Sequence, residues 1–448
     1  MRPNIIYVHS HDTGRYIRPY GHDIPTPHLQ RLADDGAIFR QCCTAAPTCS
    51  PSRAALLTGM APHSCGMFGL AHRGWRLNDY GQHIVHTLRE EAGYESVLCG
   101  FQHVAHERTV PGGSEAIGYD RILPNPGGDS RGRGETAGEF IREDHDRPFF
   151  LSVGFQDTHR GFPERDERDD PAFTQVPAPL PDHPDVREDM ARFKASARRF
   201  DAGVGAVLDA LEETGLDEET LVIATTDHGI AFPAMKCNLT DHGTGVMLLM
   251  RGPRSLGGLR GGRAIDALTS QIDIFPTICD LVDIPHPDWL QGNSLMPVIQ
   301  REVAEVNDEI FGEVTYHAAY EPKRTIRTQR WKYIRRFDER ERPVMCNCDG
   351  SPSKRVWMEH GMAERPVAQE QLYDLMFDPN ESNNLAGDPA YDDVRADLAG
   401  RLESWMGRTG DPILRGERPV SDTLRTNSPD STSPGDAKYD AEGNLLTD

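Results

Sequence analysis

Short apolar runs recur along the first half of the chain, separated by stretches with helical spacing of apolar residues. Runs that are rich in β-branched residues and lack polar alternation predict strands buried on both faces. The predicted strands are NIIYVHS (4–10), ESVLCG (95–100), PFFLSVGF (148–155), TLVIATTD (220–227) and VMLLMRG (246–252). Their alternation with helices predicts an α/β fold with a large, mostly parallel sheet sandwiched by helices. In such a sheet, ligands bind beyond the carboxyl ends of the strands.

The first predicted helix is punctuated at both ends. TPHLQRLADDG places Thr26 at the N-cap, Pro27 at the first helical position and Gly36 beyond the end. Further helices are predicted over 83–93, 191–215 and 269–283.

The pattern changes after residue 322, where KRTIRTQRWKYIRR alternates apolar and basic residues as a half-exposed antiparallel strand pair does. We therefore predict a large α/β domain over residues 1–322 and a smaller α+β domain over 323–416, which carries an antiparallel sheet. The Ser-, Pro- and Asp-rich residues 417–448 predict an extended or mobile tail.

The charge balance narrows the function classes. Lys and Arg total 48 against 70 for Asp and Glu, a formal charge of -22, which disfavours binding to nucleic acid or to an anionic membrane. Nine cysteines without regular spacing fit reduced thiols, and the sequence shows neither a signal-peptide h-region nor an apolar run that spans a bilayer. We expect a cytoplasmic protein.

One cysteine stands out because of its neighbours. In APTCSPSRAALLTG, Ser50 suits an N-cap and Pro51 a first helical position, so Cys49 is predicted at the amino end of a helix. That end attracts anions, and Arg53 lies one turn further on. From these residues alone, Cys49 is a packed thiol, a reactive thiol or a thiol that is converted to another group.

Two acid–imidazole pairs follow predicted strands. His11 and Asp12 come directly after the first strand, and Asp227 and His228 end a later one. Strand ends of a parallel sheet meet at one edge, so these four residues are predicted to bind a metal ion together.

The sequence C-x-P-x-R-AALLTG resembles the signature of type I sulfatases, an alkaline-phosphatase-like family. The resemblance implies that a formylglycine-generating enzyme oxidises Cys49 to formylglycine during maturation. The hydrated aldehyde of that family carries two hydroxyls: one attacks sulfur and displaces the alcohol or amine, and the other then expels sulfate. A thiol cannot perform this chemistry.

The resemblance also implies roles for further residues. It predicts catalytic roles for five residues: Cys49, Arg53, His103, His159 and Lys236. His103 would hold or deprotonate the second hydroxyl. His159 and Lys236 would bind sulfate and help to protonate the leaving atom. The predicted metal ligands are His11, Asp12, Cys49, Asp227 and His228. Two positions depart from the family: His11 replaces the first of two adjacent aspartates, and Phe101 replaces a lysine. The family's metal ion is commonly Ca²⁺, whereas the two imidazoles would also suit Mn²⁺ or Zn²⁺.

GEVTYHAAYEPKRTIRTQRWKYIRR resembles the N-sulfoglucosamine sulfohydrolase branch, in which Glu313 and His317 become candidate substrate contacts. The predicted function is hydrolysis of a sulfate ester or sulfamate, and a sulfated sugar is one candidate substrate. A phosphonate or phosphodiester hydrolase and a catalytically silent homologue are the alternatives. The implied partners are a small sulfated substrate and the formylglycine-generating enzyme, with a homo-oligomer left open and neither nucleic acid nor a membrane expected.

Overall fold

The computed structural model describes residues 2–124 and 129–446. Outside the described residues lie 1, 125–128 and 447–448. They belong to the predicted α/β domain and to the predicted tail. Among the residues that are described, none of the helices is both long enough and apolar enough to cross a membrane.

An eight-stranded sheet forms the centre of the molecule. Its strands, in chain order, are β1 (Asn4–His9), β2 (Ala37–Cys43), β3 (Glu95–Gly100), β4 (Arg121–Ile122), β5 (Phe149–Gly154), β6 (Thr220–Thr225), β7 (Leu248–Arg251) and β8 (Arg263–Ser270). The order across the sheet is β4-β3-β5-β1-β6-β7-β2-β8. β7 runs antiparallel to both of its neighbours, and the other neighbouring pairs are parallel. The predicted mostly parallel sheet is therefore confirmed.

Helices cover both faces of this sheet. They are α1 (Pro27–Asp35), α2 (Cys49–Thr58), α3 (Pro62–Cys65), α4 (Ile84–Ala92), α5 (Ser130–Ile141), α6 (Pro184–Thr214), α7 (Asp241–Thr244), α8 (Ile274–Val282) and α9 (Met296–Ile299). Side chains of β1 alternate between the two cores: Ile5 and Tyr7 pack with α2, α4 and α8, whereas Ile6 and Val8 pack with α1, α5 and α6. Burial on both faces explains why the strand sequences do not alternate.

The pairing of α5 with α6 depends on small residues. A Cβ atom on Gly134 of α5 would lie 2.2 Å from the carbonyl oxygen of Gly203 on α6. Glycine at this contact lets the two backbones approach each other, and any larger residue would force the helices apart.

A second, antiparallel sheet has the strand order β12-β11-β10-β9. Its strands are β9 (Ile310–Tyr316), β10 (Tyr320–Arg327), β11 (Trp331–Arg336) and β12 (Glu370–Asp374), and the nearby helices are α10 (Pro352–Glu359) and α11 (Asp392–Thr409). Leu402 and Trp405 of α11 pack on Ile326 and Tyr333 of this sheet. The sheet begins at Ile310, twelve residues before the boundary placed after residue 322.

The described part of the tail lies against the body of the protein. It contains three very short antiparallel strands, β13 (Thr426–Asn427), β14 (Lys438–Tyr439) and β15 (Leu445–Leu446). The hydroxyl of Tyr316 donates to the carbonyl oxygen of Pro419 at 2.9 Å, and the amide of Asn427 donates to the carbonyl oxygen of Ala318 at 2.8 Å. These contacts connect the tail to the residues around the end of β9.

Candidate active site

Two neighbouring strands deliver four of the predicted metal ligands. β1 and β6 are parallel partners in which His9 is paired with Thr225, so the residues just beyond both strand ends meet. The amide of Asp12 donates to Oδ1 of Asp227 at 2.8 Å, which joins the two loops directly. The structure therefore brings the two predicted pairs together at the carboxyl edge of the sheet.

Cys49 approaches the same edge as the first residue of α2. Thr48, with an extended backbone, is the N-cap, so the prediction of Ser50 at that position was wrong; Ser50 lies inside the helix and its hydroxyl accepts from the amide of Ala71 at 3.0 Å. Sγ of Cys49 lies 3.4 Å from Nε2 of His228. The predicted position of Cys49 at a helix amino end is confirmed.

These five side chains could hold one metal ion. In the described part of the chain, His11, Asp12, Cys49, Asp227 and His228 each offer a ligand atom, and these atoms all lie within 4.8 Å of one another. All five residues are buried. Carboxylate oxygens and imidazole nitrogens are common ligands of divalent cations, so the donor set fits one.

Two side-chain cations already contact the carboxylates. Arg53 donates to Oδ2 of Asp227 at 3.0 Å and to the carbonyl oxygen of Ser10 at 2.8 Å. Nζ of Lys236 lies 2.9 Å from Oδ2 of Asp12. The predicted positions of Arg53 and Lys236 beside the cluster are thus found in the structure.

Burial and charge set the protonation states. Burial lowers the pKa of His11 to about 4, so its imidazole is neutral. Burial opposes ionisation of Asp12, but Lys236 and the imidazoles outweigh it and hold the pKa of this carboxyl well below its usual value. Burial also raises the pKa of the Cys49 thiol well above its usual value, although Lys236 opposes the rise. Without a metal ion the Cys49 thiol is therefore protonated at neutral pH, and a thiol attacks less readily than a thiolate.

Two further histidines, His159 and His103, lie next to the cluster. The ring centroid of His159 is 4.5 Å from that of His11, and the ring centroid of His103 is 6.0 Å from it. Nδ1 of His103 is buried and has no hydrogen-bond partner in the described structure, whereas Nε2 of His103 lies 3.1 Å from Nδ1 of His72. The site thus contains an imidazole nitrogen to which no described group is hydrogen-bonded.

Of the two candidate substrate contacts, one lies near this site. The charges that act on His317 include those of Lys236 and His228, so it belongs to the same surroundings. Glu313, by contrast, is 1% exposed, pairs with His63, and shares a separate buried cluster with His63 and Asp411. The carboxylate of Glu313 thus lies in a cluster with His63, in α3, and Asp411, just after α11, and outside the predicted metal-binding cluster.

Two residues of the site were absent from the sequence-based prediction. Asp349 lies in the loop before α10, and its Oδ2 is 2.9 Å from Nζ of Lys236. His72 precedes Arg73 in a loop after α3 and contacts His103. Neither residue follows a predicted strand, and no local motif marks either one.

Comparison with known proteins identifies relatives along the whole chain. The sulfatase family model matches residues 3–284, and the model described as "N-sulphoglucosamine sulphohydrolase, C-terminal" matches residues 236–364. The human N-sulphoglucosamine sulphohydrolase is 30% identical over 446 residues, which cover 87% of this chain and 86% of that protein. An ulvan-active sulfatase of Formosa agariphila is 29% identical, over 92% of this chain and 81% of the relative.

Solved structures share the fold. A 2-O GAG sulfatase aligns with a TM-score of 0.68 at 21% identity, over 96% of this chain and 98% of that one. A protein solved in complex with its substrate D-glucosamine-2-N,6-O-disulfate aligns with a TM-score of 0.68 at 18% identity, over 92% of this chain and 99% of the other.

Proposed function

The chain belongs to the sulfatase family, and we propose that it is a hydrolase that releases inorganic sulfate from a sulfate ester or sulfamate on a sugar. One observation carries this proposal. Cys49 lies at the amino end of α2, inside a buried cluster with His11, Asp12, Asp227 and His228. The relatives described as acting on N-sulphoglucosamine and ulvan support a sulfated sugar as the substrate class.

We propose that a formylglycine-generating enzyme converts Cys49 before the protein becomes active. Once hydrated, formylglycine would supply two hydroxyls on one carbon, the first to attack sulfur and the second to release sulfate. The high pKa of the Cys49 thiol supports this proposal, since the unmodified residue is a poor nucleophile at neutral pH. The amino end of α2 and the guanidinium of Arg53 favour negative charge at this position.

In the proposed reaction, His103 and His159 transfer protons. The unpartnered Nδ1 of His103 is placed to accept a proton within the site, provided that Nε2 keeps its hydrogen and donates it to His72. Lys236, whose pKa Asp12 and Asp349 raise against the effect of burial, is a permanent cation that can bind a sulfate oxygen. His159, beside His11, is the candidate acid for the leaving oxygen or nitrogen.

We propose one divalent metal ion, held by His11, Asp12, Asp227 and His228 together with the group at position 49. When bound, it would lower the pKa of a hydroxyl ligand and neutralise charge on sulfate oxygens. Ca²⁺ is the first candidate because of the two carboxylates, while the two imidazoles also suit Mn²⁺ and Zn²⁺.

Metal binding can be measured without activity. We expect metal analysis of the purified protein to find one equivalent, and addition of that metal to chelated protein to raise the Tm. Asp227→Ala should lose both the metal and the rise in Tm. Full metal occupancy in this variant would refute the proposed ligand set.

A comparison of substrates tests the reaction itself. Protein produced with a formylglycine-generating enzyme should release sulfate from an aryl sulfate and from a sulfated glucosamine. An aryl phosphodiester assayed in parallel tests the phosphodiesterase alternative, which the histidine-containing metal site also suits. Faster turnover of the phosphodiester would overturn the sulfatase proposal, and turnover of neither would favour a silent homologue.

We also propose that the protein works in the cytoplasm. All nine cysteines are free thiols, eight of them buried, which suits a reducing compartment. Fractionation of the native host with an antibody to the protein would test this, and recovery outside the cytoplasm would refute it.

A further inference from the structure

A line of alternating charges leads from the metal-binding cluster towards solvent. Asp12 is completely buried, the side chain of Lys236 is 3% exposed and that of Asp349 is 17% exposed. Nζ of Lys236 lies 2.9 Å from a carboxylate oxygen of each acid. Asp349 therefore stands on the outer side of the lysine that is proposed to bind sulfate.

The position of Asp349 weakens the binding of a free sulfate ion. The Asp349 carboxylate repels a sulfate bound to Lys236 and competes with it for the ammonium group. The Lys236 and His317 charges lower the pKa of Asp349 to about 2 despite its burial, so the carboxylate is ionised at neutral pH. Hydrogen bonds donated to Asp349 by another part of the substrate would offset this repulsion.

His317 supplies a second group without a partner. Its side chain is 6% exposed, and its Nδ1 is buried without a hydrogen-bond partner among the described residues. Asp349 and Lys236 are among the charged groups that act on it. A buried imidazole nitrogen that no described residue satisfies is suited to a hydrogen bond with a ligand.

The two loops that carry these residues are fixed to each other. Oδ1 of Asn347, two residues before Asp349, accepts hydrogen bonds from the amides of Ala318 and Ala319, each at 2.9 Å. Ala318 directly follows His317. Asn347 thus holds the two side chains in a constant relation, as a preorganised binding site requires.

We propose that Asp349 and His317 form a recognition subsite for a hydroxyl or ammonium group next to the scissile sulfate, and that Asp349 excludes a second sulfate from that place. This inference rests on the proposed function. It assigns the protein to singly sulfated substrates whose neighbouring groups are hydrogen-bond donors.

Binding to Cys49→Ala protein tests the subsite separately from turnover. The ligands are glucosamine N-sulfate, glucosamine 2-N,6-O-disulfate and 4-nitrophenyl sulfate, and calorimetry gives each Kd. With Asp349→Asn added, the Kd of glucosamine N-sulfate should rise at least tenfold, whereas that of 4-nitrophenyl sulfate should fall. The ratio of the Kd of the disulfate to the Kd of glucosamine N-sulfate should fall by the same order.

Asp430→Asn is the matched control. Asp430 is an exposed aspartate that pairs with Arg340, and its replacement should leave all three Kd values unchanged. If Asp349→Asn weakens the aryl sulfate and the sugar by the same factor, Asp349 only positions Lys236 and the proposal fails. If neither sulfated sugar binds to the Cys49→Ala protein, the proposal also fails. The proposed function fails on a different result, the absence of sulfate release from all three ligands by formylglycine-containing wild-type protein.

His317→Gln provides a second variant with a different prediction. Glutamine keeps a hydrogen-bonding group but not the ring, so the Kd of glucosamine N-sulfate should rise less than in His317→Ala. Equal Kd values for wild type and His317→Ala would remove His317 from the subsite.

Discussion

The imidazole of His11 and the phenyl ring of Phe101 lie with their centroids 5.0 Å apart. His11 is neutral because burial lowers its pKa to about 4, so neither side chain carries charge. In the sulfatase pattern that this chain resembles, an aspartate and a lysine occupy these positions. The two departures from the family are neighbours, and together they replace an anion and a cation by two neutral rings without changing the net charge of the site.

This contact predicts that the two positions are coupled. His11→Asp adds a third carboxylate to the buried cluster, and Phe101→Lys places an ammonium near the Arg53 guanidinium, which lies 5.3 Å from the Phe101 ring. Each single change should lower the free energy of unfolding by about 3 kcal/mol in the presence of a chelator. The double variant should recover about 1–3 kcal/mol relative to the sum of the single changes.

Phe101→Met is the control partner, since methionine has a similar volume and no charge. Combined with His11→Asp, it should show no coupling. Additive effects for the aspartate and lysine pair would contradict the charge-compensation interpretation.

The sequence predicted the fold well where a strand is buried on both faces. β1, β3, β5, β6 and β7 were all recognised from continuous apolar runs. β2 and β8 were missed because their sequences, AIFRQCC and RAIDALTS, mix charged residues into short apolar stretches. Packing against neighbouring strands, and not local pattern, decides such segments.

The site was predictable where residues follow strand ends or belong to a motif that resembles the sulfatase signature. His11, Asp12, Asp227 and His228 meet because β1 and β6 are parallel neighbours, a consequence of the fold class. Asp349 reaches Lys236 from a loop 113 residues further along the chain, and nothing in the local sequence specifies that approach. Glu313 lies within β9 and pairs with His63, a contact that depends on how β9 packs and that no local sequence pattern indicates.

The next prediction concerns Cys49. Cys49→Ala should lower sulfate release at least about 10³-fold, since it removes the precursor of the nucleophile. The free energy of unfolding should fall by only about 1 kcal/mol, the cost of a small cavity. Cys99→Ala, in β3, is the matched control because it removes another buried thiol, whose Sγ donates to the backbone oxygen of Arg133 at 3.6 Å and lies outside the candidate site. Equal loss of activity in both variants would contradict the assignment.

Mass spectrometry of the Cys49 peptide completes this test. In active wild-type protein the peptide should have the mass of the aldehyde form, and activity should scale with the converted fraction. Full activity from protein in which Cys49 is entirely unmodified would contradict the formylglycine proposal.

A buried carboxyl predicts a pH dependence of stability. Burial raises the pKa of Asp273 to about 6, although it accepts hydrogen bonds from the amides of Ser270 at 2.8 Å and Asn293 at 2.9 Å. The folded state therefore binds the proton more tightly than the unfolded state does. The resulting stabilisation is complete below the unfolded pKa and is lost as the pH rises through about 6.

Chemical denaturation of wild type and Asp273→Asn between pH 4 and pH 8 measures this effect. The free energy of unfolding of wild type should fall by about 3 kcal/mol relative to the variant across that range, because the pKa rises by about two units. A difference between the two proteins that does not change with pH would contradict the prediction.

The last prediction concerns the tail, which joins two loops of the site. The buried guanidinium of Arg73 donates to Oδ1 of Asn427 at 2.9 Å and to the carbonyl oxygen of Pro434 at 3.1 Å. The same guanidinium donates to the carbonyl oxygen of Ala318 at 3.3 Å. Arg73 follows His72, the partner of His103, and Ala318 follows His317. The tail and Arg73 thus hold both loops in place.

Deletion of residues 417–448 should leave Arg73 with too few acceptors and lower the free energy of unfolding by about 2–4 kcal/mol. The KM for a sulfated sugar should rise more than kcat falls, because the loop that carries His317 loses its support. Deletion of residues 441–448 alone is the control, since it leaves the contacts of Asn427 and Pro434 intact, and it should change both quantities less. Asn427→Ala should reproduce part of the effect. An unchanged Tm and KM after the long deletion would show that the tail only covers the surface and that the two loops are held by the rest of the protein.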